Sequence, residues 1–240
     1  MIVLNDLLDY KNYKIYQDTD MFCFSLDSVL LANFVTLNKK IKNILDIGCG
    51  NAPIPLILTT KTKANIIGVE IQEEVFSLAV KSVDYNKCNN QITIINDDIN
   101  NYYKNCESDS FDVITCNPPY FKANEKTKQN IIEQKKIARH EIKLKLDQIF
   151  KISRKLLKNN GVIAIVHRTD RLIEIIECMR KNNIEPKKIQ FIYSKQSKFS
   201  NMVLVEGTKN GKVGLKVLEP VIVHNSDGTY KDKIKEMFKN

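Results

Sequence analysis

Short β-branched runs alternate with longer helical patterns along most of this chain, and that alternation restricts the fold more than any other feature. Asn43 to Ile47 reads as a strand and Pro53 to Thr59 as the start of a helix. Asn65 to Val69 is the next strand, closed by Glu70. Glu73 to Asn86 then carries Val75, Leu78, Ala79 and Ser82/Val83 at amphipathic-helix spacing. Ile92 to Ile95 and Phe111 to Cys116 are further strands, the second apolar almost throughout, as a strand buried on both faces is. Ile142 to Leu157 is a long helix stopped by Asn159-Asn160-Gly161, followed by a buried strand at Val162 to Val166 and a helix at Arg171 to Asn182. Lys188 to Tyr193 and Met202 to Glu206 close the series with no long helix between them. The pattern predicts a three-layer α/β domain on a parallel sheet whose last strand runs antiparallel. No Ser/Gly/Pro linker or internal repeat divides the chain, so residues 1–240 are expected to form one domain.

A loop of Asp46-Ile47-Gly48-Cys49-Gly50-Asn51-Ala52-Pro53 joins the first of these strands to its helix. Two glycines let backbone turn tightly and approach a ligand with no Cβ in the way. A dinucleotide loop would carry a third glycine where this chain has Pro53, so a pyrophosphate cofactor is disfavoured. Glu70 ends the next strand, placed to accept both hydroxyl protons of a ribose. Asp97 and Asp98 follow the third strand, where a carboxylate can accept from an adenine amino group. Taken singly, such acids also serve as helix caps.

Asn117-Pro118-Pro119-Tyr120 ends the fourth strand. Each residue before a proline is pushed out of the helical region, and neither proline donates an N–H. Asn117 therefore offers a side-chain oxygen, Pro118 a backbone oxygen and Tyr120 a ring face. Two acceptors and a π-face suit a planar substrate that carries an –NH2 group.

Composition narrows the partners. Lys and Arg number 37 against 28 Asp and Glu, a formal charge of +9, which favours a polyanion, nucleic acid above all. Only five of those basic residues are arginine, a bias that AT-rich coding produces regardless of function. Lys122, Lys126, Lys128, Lys135, Lys136 and Arg139, with His140, crowd the stretch after the tetrapeptide, suiting phosphate contacts in a substrate loop over residues 122–140. Arg180, Lys181, Lys187, Lys188, Lys195 and Lys198 form a second group. Six cysteines without a C-x-x-C pair and three dispersed histidines show no metal-site spacing, so no metal is expected. No apolar run is long enough for a membrane span. The amino terminus, with Asp6 and Asp9, does not read as a signal peptide, so the expected compartment is the cytoplasm. No obligate protein partner is indicated.

Asp46-x-Gly-x-Gly, Glu70, Asp97/Asp98 and Asn117-Pro-Pro-Tyr120 together resemble the class I S-adenosylmethionine-dependent N-methyltransferases. Phe22-Cys-Phe-Ser-Leu-Asp-Ser-Val-Leu-Leu-Ala32, Ala138-Arg-His-Glu141 and Asp227-Gly-Thr-Tyr230 make the chain similar, more narrowly, to the bacterial tRNA(Val) adenine-37 N6-methyltransferase family. The resemblance implies a Rossmann-like fold with a seven-stranded, mostly parallel sheet and helices on both faces. It implies S-adenosylmethionine as cofactor, with Asp46, Gly48 and Gly50 at its methionine end and Glu70 at the ribose. Asp97 or Asp98 would meet the adenine, and Asp27 would lie across the methionine moiety, in an N-terminal segment of residues 1–40 packed over the cofactor site. Asn117, with Pro118, Pro119 and Tyr120, would hold the acceptor adenine, Asn117 bordering the cofactor as well, and tRNA near the anticodon would be the partner.

The main enzymatic rival is a protein glutamine N5-methyltransferase, because a glutamine amide also presents –NH2. Those enzymes carry a helical substrate domain ahead of the core, whereas only about forty residues precede the glycine loop here. The rival from another class is a non-catalytic RNA-binding scaffold, against which the intact cofactor and acceptor motifs count.

Overall fold

The computed structural model describes residues 1–7, 12–20, 25–119, 144–196 and 199–238. Tyr120, the basic residues Lys122 to His140 named above, and Lys198 lie outside the described residues. Two N-terminal strands, β1 (Ile2–Asp6) and β2 (Lys14–Asp18), form an antiparallel hairpin of their own, and helix α1 (Leu26–Phe34) follows. The main domain then runs β3 (Asn43–Ile47), α2 (Pro53–Thr59), β4 (Asn65–Glu70), α3 (Glu73–Tyr85), β5 (Ile92–Asn96), α4 (Ile99–Asn105) and β6 (Phe111–Cys116). Beyond the undescribed stretch come α5 (Leu146–Leu156), β7 (Leu157–Arg168), α6 (Leu172–Lys181), β8 (Ile184–Tyr193) and β9 (Met202–Lys209). Two-residue strands β10 (Lys216–Val217) and β11 (Val221–Ile222) and helix α7 (Asp232–Phe238) complete the order.

The sheet order is β10-β8-β9-β7-β6-β3-β4-β5, with β11 also on β8. Only β9 runs antiparallel, to β7 on one side and β8 on the other. The seven expected strands are thus present with the expected reversal, and the two short strands extend the β8 edge. Successive residues of each central strand supply opposite faces. Ile44, Val113, Ala164 and Val166 pack with α1, α2 and α3. Leu45, Ile114, Ile163 and Ile165 pack with α5 and α6, where Ile149, Phe150 and Leu156 are fully buried. Each such side chain contributes about 1.5–3 kcal/mol relative to exposure.

Strand order reverses between β3 and β6: the chain steps outward through β4 and β5, then returns to the other side of β3. Ligands of open α/β sheets bind in the crevice at the carboxyl ends of strands at such a switch point. The glycine loop leaves β3 there, and Asn117 leaves β6 there.

The hairpin is tied on by side chains. Lys14 N–H donates to Asn86 Oδ1 at 2.9 Å and Asn86 Nδ2 donates back to the Lys14 carbonyl at 2.6 Å. Tyr16 N–H donates to the buried Ser82 Oγ at 2.9 Å, and Asn51 of the glycine loop donates to the Tyr16 carbonyl at 2.8 Å. Side chains of α3 and the loop thereby pair the outer edge of β2, which would otherwise stand open to other chains.

Candidate active site

Asp46 is fully buried in β3, and its register partner on β6 is Thr115. Thr115 Oγ1 donates to Asp46 Oδ1 at 2.6 Å. Asp46 Oδ2 receives nothing. Among the described residues it and Gln17 Nε2 are the only buried side-chain oxygen or nitrogen atoms without a hydrogen-bond partner. Burial, opposed by the Thr115 bond and aided by the nearby Glu70 carboxylate, raises the Asp46 carboxyl to about 7. A buried acceptor with no donor calls for an incoming one, or a proton.

The glycine loop turns on positive φ at Gly48 (66°), Gly50 (57°) and Ala52 (72°). A Cβ built at Gly48 or Gly50 would meet no atom within 4 Å. Glycine is therefore required there by the backbone conformation, and the space above stays open to a ligand. Ala52 occupies the left-handed position without that freedom, at a cost of about 1–2 kcal/mol, and precedes Pro53 at the first turn of α2.

Glu70 is buried at the end of β4. Its Oε2 accepts Gly50 N–H at 3.0 Å and its Oε1 accepts Gln72 N–H at 2.9 Å. Burial raises its carboxyl, against the lowering effect of these backbone bonds. The Ile71 N–H and the Gln72 side chain also reach this carboxylate, so Glu70 pins the glycine loop to the crevice end of its strand. Cys49 and Cys116 flank the site as buried thiols pushed well above their ordinary range by burial and by Asp46, so neither is an ionised nucleophile at neutral pH.

The acids after β5 are engaged locally. Asp98 caps α4, its Oδ1 accepting Asn100 N–H and Asn100 Nδ2 at 2.9 Å each. Asp97 Oδ1 accepts Asp98 N–H at 2.7 Å, while Asp97 N–H and Asn96 Nδ2 both donate to the Glu70 carbonyl. The two carboxylates therefore shape the turn beside Glu70. Asp27 lies in the first turn of α1, where Ser25 Oγ donates to its Oδ2 at 3.1 Å.

Asn117 is half-buried at the end of β6, followed by buried Pro118 and exposed Pro119. Its Nδ2 donates to Ser28 Oγ of α1 at 3.0 Å. So the crevice collects Asp46, Gly48, Gly50, Glu70 and Asn117, and adds residues that sequence reasoning passed over: Thr115, Ser28 and Asn51. A hydroxyl in the almost wholly apolar β6 was the available signal for Thr115. Ser28 lies inside the Ser-Leu-Asp-Ser stretch, where Asp27 drew the attention.

One member of the second basic group turns inward. Lys188 does not face an external phosphate: it donates to the Phe34 carbonyl at 2.7 Å and Thr36 Oγ1 at 2.8 Å, and pairs with buried Glu206 at 3.2 Å. Arg180 pairs with Glu185 and Lys181 with Asp147. Asp227-Gly-Thr-Tyr230 is a turn in which Asp227 Oδ1 accepts from Thr229 N and Oγ1, with Tyr230 stacked on His224 at 5.0 Å. Among the described residues no helix is long and apolar enough to cross a membrane, and no group of three His, Cys, Asp or Glu could hold a metal ion.

Comparison with known proteins supplies a context for this geometry. A family model described as the methyltransferase small domain matches residues 12–182. A curated protein of Flavobacterium psychrophilum, named tRNA1(Val) (adenine(37)-N6)-methyltransferase, is 24% identical over 217 residues, covering 89% of this chain and 91% of its own. A protein of the same name from Bacteroides thetaiotaomicron is 26% identical, covering 98% of each chain. Among solved structures, that of a predicted O-methyltransferase from Agrobacterium tumefaciens superposes with a TM-score of 0.69 at 17% identity, covering 88% of this chain and 96% of the other.

Proposed function

The chain belongs to the methyltransferase small domain family, and from that premise we propose that it transfers a methyl group from S-adenosylmethionine to N6 of an adenine in tRNA, adenine 37 beside the anticodon of tRNA(Val) being the specific target. The observation that carries this reading is Asn117, held at the end of β6 with Pro118 behind it, across the switch point from the glycine loop. The names of the relatives support the acceptor, and a tRNA substrate puts the enzyme in the cytoplasm.

The crevice fits the cofactor. Asp46 Oδ2 is a buried acceptor awaiting a donor, as the methionine ammonium group would be, and the open space over Gly48 and Gly50 admits the chain that follows. Glu70 would hold the ribose hydroxyls, and Asp97 or Asp98 the adenine edge, with residues 1–40 packed over the methionine end. When bound, the cofactor supplies an activated methyl group on a sulfonium leaving group. The protein then has to place a weak nucleophile. The exocyclic nitrogen of adenine is delocalised into its ring. Hydrogen bonds from its two protons to Asn117 Oδ1 and the Pro118 carbonyl would favour a pyramidal nitrogen and localise the lone pair in line with the methyl group. The surplus proton leaves to solvent after transfer, so Asn117 orients and no strong base is needed. Tyr120 would hold the unstacked base by its ring face.

Glu70→Ala is expected to weaken S-adenosylmethionine binding by about 1–3 kcal/mol, through the lost hydrogen bonds to a charged group and the loosened Gly50 N–H. A dissociation constant equal to wild type would leave Glu70 as a loop clamp alone.

The raised carboxyl of Asp46 has a pH consequence. At pH below about 7 the empty protein holds Asp46 largely protonated. A cation bound against Oδ2 favours the ionised form, so binding releases a proton in that range and affinity rises with pH until about 7, then levels. Titration calorimetry in buffers of different ionisation heat, about one pH unit either side of that value, should show proton release only on the acid side. Asp46→Asn should remove the difference. Equal release in Asp46→Asn would assign the proton to another group.

The function is tested by transfer of labelled methyl onto total tRNA, followed by nucleoside analysis, with N6-methyladenosine expected. Binding to tRNA should fall steeply with salt. Neutralising Lys126, Lys128, Lys135 and Lys136 together should flatten the slope by about 0.7 per lost phosphate contact, with cofactor affinity unchanged. Label entering a release-factor peptide and no tRNA would replace this reading with glutamine N5-methylation. Failure to bind S-adenosylmethionine at all would favour the scaffold.

A further inference from the structure

Ser28 reaches Asn117 from 89 residues away in the chain, with its Oγ 3.0 Å from Nδ2. We propose that Ser28 is a positioning residue for the acceptor amine: by accepting an N–H from Asn117 it sets which end of that amide faces the substrate. The inference rests on the reading above, in which Asn117 meets an –NH2 group.

A primary amide has a donor end and an acceptor end of nearly the same shape, and a half-turn of the side chain exchanges them. The exchange is ruinous here. An amine presents N–H, so it is bound by Oδ1, which can accept two hydrogen bonds, and is opposed by the –NH2 end. The two residues that follow are prolines and donate no N–H, so neither can hold Oδ1 in place by its own backbone. Ser28 acts at the other end. In the structure its oxygen accepts Nδ2, which holds the amide with its donor end toward α1 and its acceptor end turned away.

Packing makes the placement deliberate. Ser28 is 4% exposed on α1, and its neighbours Val29, Leu30, Leu31 and Ala32 are all buried and apolar. A hydroxyl in such a row is unfavourable unless hydrogen-bonded, and alanine would serve packing as well. The far end of α1 is anchored separately: Thr36, just beyond it, donates N–H and Oγ1 to Glu206, each at 2.7 Å. The helix therefore presents Ser28 from a fixed support.

The expected effect of Ser28→Ala is a fall in kcat of about three- to tenfold, the range of one lost neutral hydrogen bond. The cofactor dissociation constant and the KM for tRNA should stay within about twofold. Asn117→Asp gives the discriminating background. A carboxylate has two like oxygens and no wrong end, so in that slower enzyme Ser28→Ala should change kcat by less than about twofold. Asparagine-selective nitrogen labelling adds a readout that needs no activity: the Nδ2 protons of Asn117, identified by their loss in Asn117→Asp, should shift when Ser28 is replaced. Equal falls in kcat in both backgrounds, or an Asn117 amide signal indifferent to Ser28, would overturn the proposal. Should Asn117→Asp be too slow to time, the fall in kcat of Ser28→Ala at unchanged KM for tRNA decides together with the amide signal. A wild-type enzyme that moves no methyl onto tRNA while its Asn117 signal responds to Ser28→Ala would remove the functional reading and leave the contact standing.

Discussion

Asn117→Ala is expected to lower methyl transfer by at least about a hundredfold, the scale seen when one preorganised hydrogen-bonding group is removed from a reacting centre, with S-adenosylmethionine affinity within about twofold of wild type. The asymmetry follows from position. Asn117 lies at the end of β6, whereas the buried acids Asp46 and Glu70 and the glycine loop belong to β3 and β4. Removing the amide takes away the acceptor for the substrate amine and leaves Ser28 Oγ without the N–H it now receives. It alters no bond in the glycine loop: Gly50 N–H still meets Glu70, and Thr115 still meets Asp46. Single-turnover rates and calorimetric cofactor titration separate the two quantities. A cofactor affinity that fell with the rate would move Asn117 to the cofactor side of the methyl group.

Glu206→Ala should cost about 3–5 kcal/mol of folding stability, the range for breaking a buried ion pair by removing one partner. Glu206 is 4% exposed and accepts Thr36 N–H, Thr36 Oγ1 and Lys188 Nζ. Without it the Thr36 N–H and hydroxyl lose their acceptor, and the Lys188 ammonium, 4.3 Å from the centre of the Phe34 ring, loses its counter-charge. Urea unfolding is the measurement, with the midpoint falling at unchanged slope. Replacing both partners by methionine should recover more than half of the loss, because a well-packed apolar pair carries no desolvation cost. A loss under about 1 kcal/mol for Glu206→Ala would mean that Lys188 finds water instead, as exposed pairs do.

Lys188 also marks where sequence reasoning stopped. A lysine among lysines looks like a solvated charge, and only the third dimension brings Glu206 of β9 and the end of α1 against it. All seven strands of the main sheet except the short edge pieces are legible, from apolar runs in β3, β4, β6 and β9 that are buried over most of their length, and from shorter apolar runs in β5, β7 and β8. The β1–β2 hairpin was not read as strands at all: β2 buries only Ile15 and Gln17, and its outer edge is completed by Asn86, Ser82 and Asn51 in place of a neighbouring strand. Ser82 was placed on the apolar face of α3, correctly, but its service to Tyr16 has no periodic signature. Asn159-Asn160-Gly161 was read as a helix stop before a strand at Val162. In fact β7 starts at Leu157 and carries those residues as an irregularity, with Asn160 at a left-handed φ of 63°. Pro186, four residues past the expected helix end at Asn182, is inside β8 at another register shift. Helix α4 has no apolar periodicity to read, because only Ile99 of it is buried; Asp98 takes the capping role that such acids offer beside a ligand contact.

The bond from Asn51 to the Tyr16 carbonyl makes the glycine loop and the amino-terminal hairpin thermodynamic neighbours. Linkage is reciprocal: whatever tightens one by a given free energy tightens the other by the same amount. Opening of the hairpin is then part of the loop's own equilibrium, and a ligand seated over Gly48 and Gly50 draws residues far outside its reach into a more protected state. The loop keeps its unusual dihedral angles partly on loan from strands that pair with no strand of the main sheet, so the hairpin helps set how often the binding-competent shape is occupied before anything binds.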